Sequence, residues 1–475
     1  MAAPPISSQN VVTLGNPYKV VLRLAMPTVL AMLTQSIVNE IDIVFFSWLP
    51  HPESSNAQAA LLPSLIILWA FGGSLSAISV GTQALAARRF AEGNYDRAGG
   101  VVVNSWVFAF VSSLAFTALG YAVLPSLLEV LIEVEDVRQA ARAYLNWRLL
   151  GIASMVITFS FKAFFDGIGK THVHLVSAVI MNALNVILCL IFIFGRLGAP
   201  RMGIAGAGFA GFASTWIGLG IMLLWSAREK YRSRFGPFRV SKFEVPLVRE
   251  ILKLSVPSAV ATIAVMSGFA LFSMIVSKLD ARAESMVQAT GVADEAVNSA
   301  ATTLIVGILK LTFTACLAFG TSTATLVSQS LGERDGAKAT RFGWVSVRLG
   351  LAIFGVVGFL EGVVFPEQIL AFVSNSPAVQ EAALVPMRMM GICTPAIAVG
   401  MILTQALFGA GNSMFVMIVE LILHFTCLVP LAFLLGITLD FGLVGIWSAA
   451  CVYAVLLMAI MIVKFARGDW QHIRI

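Results

Sequence analysis

Charge is what this chain has least of. Of its 475 residues only 12% are Asp, Glu, Lys or Arg, about half the share of an ordinary soluble domain (~25%). A mean hydropathy of +0.89 excludes a water-facing surface. Cysteine is also scarce. Cys189, Cys316, Cys393, Cys427 and Cys451 all fall inside apolar segments, and none forms a CxxC pair. A disulfide framework and a zinc site are therefore unsupported. The first fifteen or so residues contain Pro4 and Pro5 but no long apolar core, so they read as a short tail and not as a cleaved signal peptide.

What is present is long apolar runs. Segments such as WVFAFVSSLAFTALGYAVLPSLL and CVYAVLLMAIMIV are almost free of charge, and about 20 such residues in a helix cross the hydrocarbon layer. Twelve spans are expected, near 18–46, 60–88, 99–128, 142–165, 171–195, 204–227, 250–278, 298–329, 341–366, 383–408, 414–436 and 442–465. The fold class is an all-α integral membrane protein. Lys and Arg concentrate on one side of these spans, among them Arg88, Arg89, Arg97, Lys170, Lys230, Arg232, Arg234, Arg334 and Lys338. The opposite loops hold Arg138, Arg142, Arg196, Arg201, Lys278 and Arg282. Basic loops stay cytoplasmic, which places both termini inside. The net charge of +6 is then topological and calls for no nucleic-acid partner.

The basic run REKYRSRFGPFRVSK separates span six from span seven, and the two halves resemble each other. LRLAMP ending at Pro27 matches LKLSVP ending at Pro257. GTQALAARRFAEGNYDRA matches GTSTATLVSQSLGERDGA, and RLLG matches RMMG, which aligns Arg148 with Arg388. GIGKT from Gly167 matches GAGNS from Gly409, and GIAG from Gly203 matches GLVG from Gly442. The same landmarks in the same order mark an internal duplication. The expected organisation is a tail at 1–17, a six-helix lobe at 18–227, a basic linker at 228–249, a second lobe at 250–467 and a tail at 468–475. An even number of spans per half makes the repeats parallel, an architecture that places a substrate cavity between two rocking bundles.

The stretch FFDGIGKTHVH superficially resembles a phosphate-cradling loop. That loop needs a glycine five positions before the second one, and position 164 is Phe. GIGKT reads instead as a tight interhelical turn with Gly at its bend. His172 and His174 follow it on different helix faces at a cytoplasmic edge with no acidic or cysteine partner assigned to them, so a metal site is the less favoured of two readings.

Ionisable groups inside spans are the functional candidates. Gln35, Asn39 and Asp42 share a face of span one, and Asn182 and Asn185 share a face of span five. A carboxylate ringed by amides in partly dry surroundings can load and release a proton near neutral pH. The alternative for Asp42 is a cap on the outer helix end. Pro27 removes a backbone bond from span one and places a kink there. In the second half Lys310 sits near the middle of span eight, Glu361 lies in the outer part of span nine, and Glu420 and His424 stand one turn apart on span eleven. These form either a polar network able to relay protons or a structural ion pair. The matched Arg148 and Arg388 suggest a structural role. Trp69, Phe71 and Phe161 would suit a lining for amphipathic ligands. Nothing resembles an enzyme's acid–base pair or nucleophile, and no cofactor is implied.

With these residues in place the chain resembles the multidrug and toxic compound extrusion (MATE) family. The resemblance rests on the two six-helix halves, the DGIGKT and FGAGNS turns, the run from Asn185 to Gly195, and the GIAGAGFA and GLVGIWSA openings of spans six and twelve. It covers about residues 16–465. It implies a V-shaped transporter in the bacterial inner membrane, able to work as a monomer, that exports cationic or amphipathic compounds against a proton or sodium gradient. Pro27 and Asp42 match the proline and aspartate of the bacterial branch whose coupling acid lies in span one. Asn185 matches that branch's span-five asparagine. The aspartate four residues on is Cys189 here, and a span-six threonine would fall at Gly211. A hard cation wants several oxygen ligands, so these losses favour protons over sodium. The second expectation is a lipid-linked precursor or polysaccharide flippase of the wider superfamily. It would carry extra spans and an arginine-rich cavity.

Overall fold

A computed structural model of the chain describes residues 15–132, 134–287, 297–473 and 475. It is helical throughout. The first lobe contains α1 (Pro17–Ser47), α2 (Glu53–Ala91), α3 (Tyr95–Leu131), α4 (Glu135–Leu150 with Ile152–Gly167), α5 (Thr171–Phe194) and α6 (Ile204–Ala227). The second contains α7 (Val245–Val287), α8 (Val297–Gly332), α9 (Gly336–Val364), α10 (Pro377–Ala410), α11 (Ser413–Thr438) and α12 (Gly442–Arg467). Among the described residues eleven helices are long and apolar enough to cross a membrane. The two pieces of α4, bent by 45°, bring the number to twelve.

The bend in α4 corrects one sequence expectation. Arg138 and Arg142 were placed in an outer loop, but both lie on the first helical piece. Arg138 Nη1 pairs with Glu135 at 3.0 Å, and its Nη2 donates to the Ile132 carbonyl at 3.1 Å. Charges at this density do not suit hydrocarbon, so a hydropathy pattern reports a loop where a helix emerges from the layer.

Polar caps set several helix starts. The Asn16, Asn94 and Asp335 side chains accept from the backbone N–H groups of Tyr18, Arg97 and Lys338, filling donors that a first turn leaves open. The GIGKT segment is the expected turn. Gly169 takes φ +74° between α4 and α5, and its duplicate Gly411 takes φ +89° between α10 and α11, conformations that cost glycine little. The basic segment between the lobes is ordered. It forms a short helix, Glu229–Phe235, with Tyr231 and Phe235 buried. Asn104 of α3 then clamps it, donating to the Lys242 carbonyl at 2.9 Å and accepting from Glu244 N at 2.8 Å.

Hydrogen bonds join the lobes from mid-membrane to the side that carries this linker. Gln83 of α2 donates from Nε2 to the Thr321 carbonyl and to Thr325 Oγ1 of α8, both at 2.8 Å. Thr325 in turn donates to the Asp166 carbonyl at 3.1 Å, Ser328 to that of Ala84 at 2.7 Å and Gln329 to that of Gly167 at 2.7 Å. Arg88 reaches from α2 to the carbonyls of Ile473 and Ala410. Helix α1 bridges the two bodies. Val20, Val21, Leu24 and Ala25 at its start belong to an apolar core of the second lobe, whereas Phe45 and Phe46 at its end pack in the core of the first.

Candidate coupling site

Helices of the first lobe converge on Asp42. The carboxylate stands on α1, five residues before the helix ends. Cys189 of α5 donates from its Sγ to Asp42 Oδ1 at 3.6 Å and lies 4.0 Å from Asn185 Oδ1, one turn back on its own helix. Asn185 Nδ2 donates to Ser214 Oγ of α6 at 3.2 Å, and Ser214 donates to the Gly211 carbonyl at 3.1 Å. A polar chain thus runs from α1 through α5 to α6. Position 211 carries no hydroxyl, and the hydroxyl in this chain stands three residues later, at Ser214.

Arg148 of α4 lies against α6. Its guanidinium is 5.8 Å from the ring centre of the buried Tyr144. Gly211 makes room for it, because a β-carbon there would lie 2.0 Å from Arg148 Nη1. Arg148 Nε is buried without a hydrogen-bond partner among the described residues. The sequence alignment treats Arg148 and Arg388 as equivalents with one structural role, but the structure separates them. Arg388 is half-exposed and pairs with Glu367 at 2.9 Å. The absence of any side chain at 211 was the available signal, since an arginine one bundle position away can fill that space.

The remaining candidates divide. Asn182 donates to Thr34 Oγ1 on α1 at 3.2 Å, two turns from Asp42. Gln35 is part-buried on α1. The side chain of Asn39 lies outside the described residues. Pro27 lies inside α1, and the turn around it is held by the second lobe: Ser322 of α8 donates to the Leu24 carbonyl at 3.2 Å and lies 3.5 Å from Thr28 Oγ1. Phe161 is buried at 1% exposure, packed toward Phe238, so it is core and not lining. Trp69 is 60% exposed.

In the second lobe Glu420 and His424 close upon Tyr453 of α12. The tyrosine hydroxyl donates to Glu420 Oε2 at 2.9 Å, and His424 Nδ1 lies 3.4 Å from the same oxygen. Lys310 is exposed on α8. Glu361 accepts from Thr312 Oγ1 at 3.0 Å. One contact escaped the sequence altogether. The GIGKT turn folds α5 back on α4, so Asp166 Oδ2 comes to 4.0 Å from both His174 Nδ1 and Lys162 Nζ. Among the described residues no group of three His, Cys, Asp or Glu side chains gathers to hold a metal.

The two six-helix lobes belong to a transporter family and not to an enzyme. The MatE family model matches residues 27–191 and again 257–434, once in each lobe, and the chain belongs to that family. It is 25% identical over 467 residues, 95% of this chain and 93% of the relative, to a probable multidrug resistance protein NorM of Thermotoga maritima. A protein of the same description from Caulobacter vibrioides is 24% identical, covering 95% of this chain and 91% of its own. Among solved structures, a MOP superfamily transporter from Pyrococcus furiosus superposes with a TM-score of 0.84 at 18% identity, covering 98% of this chain and 99% of that one. An outward-facing multidrug resistance MATE family transporter gives 0.84 at 19% identity over 97% and 99%. The fold class read from the sequence, an all-helical membrane protein, is the observed one.

Proposed function

We propose that this chain is a secondary active multidrug efflux transporter that exchanges cationic or amphipathic compounds for protons by alternating access. The supporting observation is the make-up of the Asp42 site. It has one carboxylate, faced by the Cys189 thiol. A sodium ion would need several oxygen ligands and would meet a sulfur in place of one of them. A proton needs only the carboxylate.

Residues 18–227 and 250–467 act as the two bodies, joined by 228–249. The linker side faces the cytoplasm of a bacterial inner membrane, in keeping with its Lys and Arg content, and both termini lie there. Because the lobes bond to each other on that side, this state receives protons and releases drug outward. Protonation of Asp42 removes its charge, and the Cys189–Asn185–Ser214 chain rearranges. Helix α1 then flexes at Pro27, whose preceding turn is anchored on α8. Substrate and proton compete, so each weakens binding of the other by the same factor.

Accumulation of ethidium in inverted vesicles, driven by an imposed proton or sodium gradient, tests this reading. Proton-driven accumulation that disappears in Asp42→Asn is expected. Wild-type accumulation in that variant would refute the role of Asp42, and sodium-driven accumulation would refute proton coupling.

A further inference from the structure

The second lobe holds a buried titratable centre for which the Asp42 cycle has no use. Glu420 is 6% exposed and His424 not at all. His424 Nδ1 lies 2.8 Å from the Glu420 carbonyl oxygen, which can only accept, so the ring carries its N–H there. Nε2 is then an acceptor, and it is buried without a hydrogen-bond partner among the described residues. Such an orphan in a membrane interior is expensive to keep.

The surroundings have been shaped around the ring. Gly268 of α7 faces it so closely that a β-carbon would come within 2.4 Å of His424 Cδ2. Tyr453 of α12 packs its ring 4.6 Å away, centre to centre, and its hydroxyl is the hydrogen-bond donor to Glu420. Helix α11 leaves regular α geometry at this point: Leu423–Leu428 is a π-helical turn, and Val429 N donates to the His424 carbonyl five residues back. Such turns recur at functional sites. When Gly167 is laid on Gly409, His424 falls where Asn182 stands in the first lobe. The α7–α11 contact is accordingly the counterpart of the α1–α5 contact that carries the Asp42 site.

Charge balance assigns the occupant. With His424 neutral and Glu420 ionised, the cluster buries one net negative charge. One added proton, on His424 Nε2 or on the carboxyl, gives a neutral centre. The titratable group facing Glu420 from α12 is Tyr453, and Tyr453 also faces Cys427 of α11. Helix α7 presents Gly268. We propose that Glu420, His424 and Tyr453 form a second proton-binding site, in the second lobe, that takes up and releases one proton. Its place in a transport cycle rests on the proton-coupled reading above, but its existence does not.

Infrared difference spectra test the site directly. The full chain is reconstituted in lipid and taken between about pH 9 and about pH 5, a range that brackets histidine and perturbed carboxyl titration. Wild type, Glu420→Gln, His424→Gln, Tyr453→Phe and Asp42→Asn are compared. The expected result is a protonated-carboxyl band that loses one component in Glu420→Gln and a different one in Asp42→Asn, with a histidine ring band lost in His424→Gln. Tyr453→Phe keeps the aromatic packing and should move the midpoint of the Glu420 component by about one pH unit, the worth of one hydrogen bond. A Glu420→Gln spectrum that superimposes on wild type overturns the proposal. In the transport arm, protons moved per ethidium should fall by about half in Glu420→Gln, a halving that follows from losing one of two such sites. Asp42→Asn that leaves proton-driven efflux intact while the Glu420 component persists would sink the Asp42 reading and leave this site standing.

Discussion

Cys189 donates to Asp42 across 3.6 Å, which ties α5 to α1 by a thiol where a second carboxylate would make a cation cage. A thiol is a weak donor, so its removal costs little. Cys189→Ala should leave proton-driven ethidium efflux within about threefold of wild type, consistent with losing less than one ordinary hydrogen bond. Cys189→Asp should behave differently. Two carboxylates this close cannot both ionise cheaply, and together with Asn185 they offer oxygen ligands to a hard cation. Efflux in Cys189→Asp should therefore respond to a sodium gradient, and a sodium-insensitive variant would show that the thiol does not decide ion choice.

Gly211 tests whether Arg148 belongs to the site. A methyl group there must displace the guanidinium, because 2.0 Å is well inside van der Waals contact. Overpacking of this kind costs about 1–3 kcal/mol. Gly211→Ala should lower the melting temperature in detergent and, by moving the Arg148 charge, shift the pH profile of efflux. An unchanged profile would assign Arg148 a packing role alone.

Pro27 separates the part of α1 packed in the second lobe from the part that carries Asp42. Pro27→Ala restores a backbone N–H facing the Arg23 carbonyl and removes the ring clash, a change of up to about 3 kcal/mol toward a straight helix. The variant should be more heat-stable and transport at least several-fold more slowly. Faster or equal transport would exclude flexing at this residue.

The linker-side junction sets which state is populated. Gln83→Leu and Gln329→Leu together delete the donors to Thr321, Thr325 and Gly167. At about 0.5–1.5 kcal/mol per hydrogen bond the pair should shift the equilibrium toward linker-side opening by about five-fold or more. Spin labels on the far-side ends of α1 and α7 would report shorter distances. Unchanged distance distributions would place the energetic lock elsewhere, with Arg88 and its carbonyl partners the next residues to test.

The landmarks of duplication were legible because they are backbone requirements. Gly169 and Gly411 bend the chain in the same way wherever it lies, so their spacing survives in one dimension. Asp42 and Asn185 could be named because charge and amide groups are rare in spans, and Cys189 only because the family resemblance puts an aspartate at its position. The start of α4 was misread because hydropathy measures hydrocarbon compatibility and not helicity. The different surroundings of Arg148 and Arg388 were not legible, because they depend on Gly211 lying against one of them and Glu367 pairing with the other.

The sequence alone therefore determined an all-helical, duplicated membrane chain and its turns and singled out Asp42 as a candidate acid, since these follow from local hydropathy, backbone freedom and composition. Tertiary structure alone decided what surrounds that acid. Only packing brings the Cys189 thiol of α5 to that carboxylate and links it through Asn185 to a hydroxyl on α6. Only packing sets Tyr453 and Gly268 around His424, because contacts between helices far apart in the chain depend on how their faces meet.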